Sequence, residues 1–379
     1  MNQRNLFMKQ IGRDDELYGR GSSLKKARVF DEAKECFTAL LRQTDKKEYM
    51  AGACFHLGEI ALLKDCEKKA RTLFLQTLEH NPFHRKAQGY LKQQGVNNVG
   101  YTLKPFCDNE HGVPTLDNPV TQICTENQCR ESIYKEICKE LQIKPAYKRK
   151  IWEFAYIIQV LKSTGVLGKG KRGVGFGVGN EPLPALFARY GCTVLATDLA
   201  PQNAVVKGWM FPQQQVERIK RLNKDALCPP ELFASNVSWM HVDMNDIPAE
   251  LLTGQFDFVW STCALEHLGS IEQGKQFILQ SLACLRPGGV AVHTTEYNIS
   301  SNTDTIDNQG TVLFRRTDIG DLVKQVSEQG YDMVFNPHYG DGPLDLDYDV
   351  PPYGHNAHLK LLLDRYIISS IGISIKGSE

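Results

Sequence analysis

Apolar positions along this chain follow first a helical rhythm and then an alternation of strand and helix, and the change divides it. Over residues 16 to about 93 the pattern repeats: a shift of 37 lays Gly21 on Gly58, Ala33 on Ala70 and Phe37 on Phe74, and the second unit closes on Asn81-Pro82. A small residue, another twelve positions later and an aromatic four beyond that is the spacing at which two antiparallel helices pack closely. Residues 87–91 read as the start of a third unit acting as a cap. Two units and a cap are short for a free-standing solenoid, so the segment is expected to lean on the rest of the chain or on a partner. From 94 to about 119 glycine, asparagine and proline break the rhythm and predict a linker or loop-rich lobe. Helices return in SIYKEICKELQI and in YKRKIWEFAYIIQVLKSTGVL, where Ile151, Phe154, Ile158 and Leu161 share a face and Gly165 marks the stop.

At Gly173 the pattern becomes strand, turn, helix, strand. The stretch GVGFGVGNEPLPALFARYGCTVLATD reads as a short apolar strand, a turn with Gly175, Gly177 and Gly179, a helix over 183–190, a strand over 193–196 and an acid, Asp198, at its tip. This is a nucleotide-binding β-α-β unit, in which glycines let the backbone approach a ligand and the later Asp accepts hydrogen bonds from ribose hydroxyls. The dinucleotide fingerprint needs a glycine within 180–182, where this chain has Asn-Glu-Pro. Glu181 suits the start of a helix but repels a pyrophosphate, so the turn favours an adenosine that carries positive charge. S-adenosylmethionine, with its sulfonium and ammonium groups, meets that requirement, and NAD does not.

A polar helical insertion over 202–236 follows, and then a strand over 237–242 running into Asp243 and Met244. A strand over 256–260 breaks into a loop with Cys263, Glu266 and His267, and a helix over 271–285 stops at Arg286-Pro287-Gly288-Gly289. The next strand, VAVHTTEYN, leaves Thr295 and Glu296 at its end. A helix over 318–328 precedes a strand over 331–336, and RYIISSIGISIK closes the pattern. Strands alternating with helices predict a doubly wound, mostly parallel α/β sheet, whose ligands bind outside the carboxyl ends of the strands. Gly177, Asp198, Asp243, Glu266 and Glu296 all fall at such ends and are expected to share one pocket.

Composition changes this picture little. At 42% hydrophobic and 23% charged the chain matches an average globular protein, and its zero net charge gives no reason to expect nucleic acid or an anionic membrane as partner. No apolar run reaches a membrane span and the first residues lack a signal-peptide core, so a cytoplasmic location is expected. Eleven cysteines without one C-x-x-C pair suit reduced thiols. Cys107, His111, Cys124, Cys129 and Cys138 gather soft ligands in a short span, but their spacing fits no zinc template and no metal is assigned.

Together, VGFGVGNE, the acid of VLATD, VDMNDIP, and FDFVWSTCALEHL with LRPGGVAV resemble, in order and separation, the class I S-adenosylmethionine-dependent methyltransferases over roughly 145–376. That resemblance implies a Rossmann-like seven-stranded sheet whose last strand is antiparallel. It also implies Gly177 and Gly179 against the methionine part of the cofactor, Asp198 on the ribose, Asp243 and Met244 at the adenine, and Cys263 lining the sulfonium side. Two departures stand out: Gly175 replaces the acid that usually precedes the turn, and Glu181 replaces the last turn glycine. Glu181 is therefore a candidate to bind the cofactor ammonium. The 37-residue unit resembles the tetratricopeptide repeat with a period three longer than usual. The expected domains are 1–95 helical repeats, 96–144 linker and helical lobe, and 145–379 methyltransferase.

A hydroxyl acceptor must lose its proton as it attacks, which asks for a positioned His or carboxylate. Glu266 and His267 are the first candidates, Glu296 and His293 the second. Asp341, Asp345, Asp347 and Asp349, with His355 and His358, form an acidic loop that reads as a lid for a polar substrate and offers oxygen ligands of the kind magnesium or calcium takes. Trp152, Tyr297, Tyr348 and Tyr353 are candidate sugar-stacking surfaces, with Arg149, Trp152 and Tyr156 a candidate roof over the cofactor. The expected activity is methyl transfer from S-adenosylmethionine to an oxygen of a polar small molecule, sugar or glycan. The alternatives are a protein or peptide substrate presented by residues 16–93, and a repeat-based interaction protein that binds the cofactor without turnover.

Overall fold

A computed structural model describes residues 3–81, 84–93, 112–200, 222–223, 226–349, 353 and 357–378. Cys107, His111, His355 and residues 202–221 of the polar insertion lie outside them. The chain divides into two compact units, 1–105 with 347–365, and 106–346 with 366–379.

Among the described residues the first unit carries five helices, α1 (Gln3–Lys26), α2 (Phe30–Gln43), α3 (Lys47–Leu63), α4 (Glu67–His80) and α5 (Arg85–Gln93). α2 and α4 begin and end 37 positions apart, and so do the turns before them. Arg28 and Asp65 are both left-handed, at φ 63° and 55°. Val29 N–H donates to Leu24 O and Cys66 N–H to Ala61 O, each at 2.9 Å, the six-to-one bond that closes a helix. The helices of each pair touch where one has no side chain. A Cβ on Gly21 would stand 2.9 Å from the Phe37 ring, and one on Gly58 2.7 Å from the Phe74 ring. Gly58→Val should therefore lower unfolding free energy by about 1–3 kcal/mol through overpacking. A urea midpoint unchanged at constant m-value would count against the contact.

The second unit is a mixed sheet. Its strands are β1 (Thr121–Ile123), β2 (Arg172–Phe176), β3 (Thr193–Asp198), β4 (Val237–His241), β5 (Phe256–Thr262), β6 (Leu285–Asn298), β7 (Tyr331–Asp332), β8 (Phe335–Asn336) and β9 (Tyr366–Gly377). They lie in the order β4-β3-β2-β5-β6-β9-β1-β8, with β7 on the far end of β9. β2 to β6 are mutually parallel and β9 runs antiparallel to β6, as the resemblance implied. The sheet is nevertheless not the mostly parallel seven-stranded one expected. β1 enters from the N-terminal side, antiparallel to β9 and parallel to β8, and the strand expected over 331–336 is split in two. Strands of two or three residues are too short to show alternation, which is why the sequence hid them.

Among the described residues the helices of this unit are α6 (Glu126–Arg130), α7 (Ser132–Glu140), α8 (Arg149–Ser163), α9 (Leu183–Arg189), α10 (Pro230–Asn236), α11 (Ile271–Ser281) and α12 (Arg316–Glu328). α8 is buried nearly all round, so the expected face is misplaced: Trp152 and Tyr156 are core, and Ile151 and Phe154 are half-buried. Trp152 Nε1 donates to Gln128 Oε1 at 2.5 Å and Tyr156 OH to Val120 O at 2.7 Å, which anchors α8 to the segment around β1. Among the described residues no helix is long and apolar enough to cross a membrane.

Candidate active site

β2 feeds the glycine turn. Gly177 and Gly179 take left-handed φ of 63° and 52°, and a Cβ on Gly177 would stand 2.8 Å from Ala264 Cβ and 3.2 Å from Met244 Sδ. The turn, the loop after β5 and Met244 thus converge on one point. Gly175 is bare for a different reason: a Cβ there would lie 2.2 Å from the Trp260 indole. That indole is fully buried and donates from Nε1 to Glu181 Oε1 at 2.6 Å. Glu181 stands just before the start of α9, as expected, but its carboxyl is given to that indole. Burial pushes its carboxyl up to about 7, with the Trp260 N–H working the other way.

Asp198 ends β3 half-buried, and its Oδ1 accepts from Leu199 N–H at 2.8 Å. Asp243 Oδ1 accepts from Asn245 N–H at 3.0 Å, fixing the turn that carries the buried Met244. Cys263 follows β5 with φ 47°, a left-handed conformation that costs a non-glycine residue of order 1 kcal/mol or more. Its N–H is held by Thr294 O at 3.0 Å, and burial pushes its thiol well up.

Glu266 sits on the short 3-10 turn Leu265–His267, buried, with Thr295 Oγ1 donating to Oε2 at 3.1 Å. Burial raises its carboxyl. Glu296, on β6, takes Arg149 Nη1 on Oε1 at 2.6 Å. Burial pushes it up to about 7 against the pull of Arg149, with Glu266 and Glu153 adding to the rise. One ligand-capable atom each from Cys263, Glu266 and Glu296 lies within 4.8 Å of the others. Arg149 and Lys150 already supply fixed positive charge to these carboxylates, so no metal is assigned to the group.

The two histidines stand apart from this cluster. His267 is half-buried, its Nδ1 faces Gly310 O at 3.2 Å, and burial lowers it. His293 is fully buried against Ser261 at 2.8 Å and held down to about 3, a core residue.

Sequence reasoning missed most of α8's part. Lys150 Nζ lies 2.8 Å from Glu153 Oε2 and Arg149 Nη1 3.7 Å from Glu153 Oε1, while Ser370 Oγ also donates to Glu153. Burial opposes the charge on Arg149 and Glu153, while Lys150 keeps half of its side chain in solvent; mutual attraction and Glu296 leave both cations raised and Glu153 lowered. The signal was present as charges three and four apart on an otherwise apolar helix. Three buried atoms in this cluster lack a hydrogen-bond partner among the described residues, Arg149 Nε, Glu153 Oε2 and Glu296 Oε2, and of these only Glu153 Oε2 has an ion-pair partner, Lys150.

Other candidates have different employment. Trp152 and Tyr297 are buried at 0% and 4% exposure and offer no stacking face. Asp345 accepts from Glu126 N–H at 3.0 Å, at the start of α6, and Asp349 pairs with His358 at 2.7 Å, so neither side chain points idly into a lid. Cys124, Cys129 and Cys138 are buried and take part in no disulfide.

Residues 174–293 match the family model described as a methyltransferase domain, a span from β2 into β6. No curated protein matches the chain in sequence. Solved structures similar to it include a candidate sarcosine dimethylglycine methyltransferase from Galdieria sulphuraria, at 14% identity over 65% of this chain and 99% of that one, TM-score 0.39. Another is an S-adenosylmethionine dependent methyltransferase from Mesorhizobium loti, at 15% identity over 57% and 95%, TM-score 0.35. A third is the 1,6-didemethyltoxoflavin-N1-methyltransferase of Burkholderia thailandensis, at 12% identity over 58% and 78%, TM-score 0.35. The protein carries a methyltransferase domain and is an enzyme. A Cβ on Gly179 would meet nothing within 4 Å, so the turn is open at that point.

Proposed function

We propose that the protein methylates an oxygen nucleophile of a polar acceptor, a sugar or glycan hydroxyl being the leading class. The observation that carries this reading is the pair of unpartnered buried atoms, Arg149 Nε and Glu296 Oε2. One needs an acceptor and the other a donor. A hydroxyl group is both and keeps a second lone pair for the attack, whereas a neutral amine has a single lone pair to spend on the attack and a carboxylate only accepts.

S-adenosylmethionine, when bound, would supply a sulfonium methyl, the acceptor oxygen taking the carbon while the electron pair of the broken carbon–sulfur bond stays on sulfur. The chain's own part is to hold the hydroxyl and take its proton at Glu296, with Glu266 sharing the site and His267 behind it. Gly175, Gly177 and Gly179 would shape the donor's cradle. Asp198 would hold the ribose, Asp243 and Met244 the adenine, and Cys263 would line the sulfur side. Residues 1–95 would form a tetratricopeptide-like module, 96–144 a connecting lobe and 145–379 the catalytic domain, in a cytoplasmic protein. A peptide acceptor brought by residues 16–93 is the second reading, favoured by the equal geometry of the two hairpins.

Release of S-adenosylhomocysteine over a panel of hydroxyl, amine and carboxylate acceptors tests the reading. Turnover is expected with hydroxyl compounds, and turnover confined to amines would overturn it.

Glu181 would meet the donor's ammonium in place of the acid absent at Gly175. A carboxyl with its midpoint near 7 must ionise to do so, so donor affinity should rise as pH increases through about 7. Glu181→Gln should abolish that pH dependence and weaken binding by about 1.5–3 kcal/mol. Calorimetry across pH that finds the variant as tight as the parent would rule this role out.

A further inference from the structure

A small cavity of about 20 Å³, partly open to solvent, is lined by residues at the carboxyl ends of three strands: Tyr297 and Asn298 on β6, Ile123 on β1 and Pro337 just past β8. β1 and β8 run in the same sense as β6, because β9, which separates β1 from β6, is antiparallel to both. The cavity therefore stands on the edge of the sheet where doubly wound folds bind ligands, yet part of its wall comes with β1, a strand outside the expected seven. It also lies on another face. Glu296 turns to Arg149 of α8, whereas Tyr297, one residue on, packs with Ile123, Phe314 and Ile371 on the opposite side of the sheet.

The hydrogen-bonding groups of this wall are unbalanced. Asn298 Oδ1 already accepts from the N–H groups of Ser300 and Ser301, each at 3.0 Å, and Asn302 Oδ1 from Thr317 N–H at 2.9 Å. Ser301 Oγ accepts from Thr303 N–H at 3.3 Å and Asp304 N–H at 2.9 Å. These oxygens are spent, while among the described residues the Ser301 hydroxyl hydrogen, the Asn302 amide hydrogens and the Tyr297 hydroxyl have no partner. Tyr297 is the sharpest case: it is 4% exposed, and burial keeps its phenol in the protonated, donating form. A tyrosine hidden to that extent normally finds a partner for its hydroxyl. Arg316 lines the same cavity with a guanidinium near enough for its charge to act on the phenol, and no carboxylate lines it among the described residues.

Donors left over beside a cation ask for an acceptor that is itself negatively charged. A water molecule would bring hydrogens to amide and serine oxygens already taken; a carboxylate brings none. We propose that this cavity is a second ligand site, apart from the one around Glu296, and that it takes the carboxylate of a small molecule between Tyr297, Ser301, Asn302 and Arg316. Its volume admits one small flat group rather than a tetrahedral phosphate, and Ile299 and Pro337 give a short hydrocarbon body apolar contact. The site stands whatever the methyl acceptor proves to be.

Butyrate is the probe. Thermal unfolding of the full-length protein at fixed pH and ionic strength, with butyrate exchanged for chloride over a millimolar range, should show a midpoint that rises with butyrate concentration, as a ligand of the folded state requires. Butyramide, which has the same shape without the charge, should give no rise, and inorganic phosphate less than butyrate. Tyr297→Phe removes one oxygen and keeps the ring, and should weaken the apparent affinity for butyrate about tenfold or more, the effect of losing a hydrogen bond to a charged group. Arg316→Gln, with the same expected loss, takes its place if near-UV circular dichroism shows that Tyr297→Phe does not fold. A parent midpoint indifferent to butyrate, an equal rise with butyramide, or a rise that the folded variant keeps in full would overturn the proposal. So would a larger rise with phosphate than with butyrate.

Discussion

Gly175→Ala is expected to lower unfolding free energy by about 3 kcal/mol, at the upper end of what overpacking costs. The added carbon would meet the Trp260 indole at 2.2 Å, and the ring has nowhere to go. Its Nε1 is bonded to Glu181, its face meets the edge of Phe187 at 5.1 Å and 90°, and Phe258 packs on Gly173 in the same way one pair below. Urea unfolding of both proteins, with the m-value held common, measures the loss. A difference below about 1 kcal/mol would mean the indole yields, and the account of this turn would fail. The companion variant Gly175→Asp with Trp260→Val should regain part of the stability, because it replaces the indole with space for the acid. The departure from the resembled motif would then be one exchange: an indole takes the place of the acid at 175, and an acid at 181 accepts the indole's hydrogen bond.

The largest kinetic effect is expected from Glu296→Gln, a fall in kcat of about 10²–10⁴-fold, the range for losing a general base. Donor affinity should stay within about twofold, since the amide keeps a carbonyl for Arg149. Single-turnover methyl transfer gives the first quantity and calorimetry the second. With its midpoint near 7, Glu296 should place the acid limb of the parent profile close to neutrality, with activity present above that limb and lost as pH falls through it. Glu266→Gln should retain more activity than Glu296→Gln, because Glu296 is the member held by Arg149 at 2.6 Å. If His267→Ala loses activity by that factor while Glu296→Gln does not, the proton goes to the imidazole instead.

Much of this was legible in the residues because the central strands are long and end in punctuation. Gly177, Asp198 and Glu296 were placed at strand ends by the turns that follow them, and the structure puts them there. The 37-residue period was legible because glycine opposite phenylalanine leaves few packings open. What could not be read was long-range or partial. Nothing in Thr121-Gln122-Ile123 announces a strand without Gly372 and Ile371 beside it. Trp152 looks the same in sequence whether it roofs a pocket or fills a core; only its bond to Gln128 decides. Glu181 was weighed against the helix that follows it, while its partner is an indole 79 residues away.

β9 has a consequence for how the protein is made. It lies between β6 and β1, and Thr121 Oγ1 accepts from Ser374 N–H across 253 residues. During translation β1 must therefore wait, with its flank uncovered, until nearly all of the remaining sequence has left the ribosome. β2 to β6 can pair as they emerge, whereas β1 and β8 join only when the nascent chain delivers the strand that separates them from β6. A ribosome stalled before residue 366 would hold a nascent chain with an exposed sheet edge at β6, the kind of edge that chaperones and aggregation compete for.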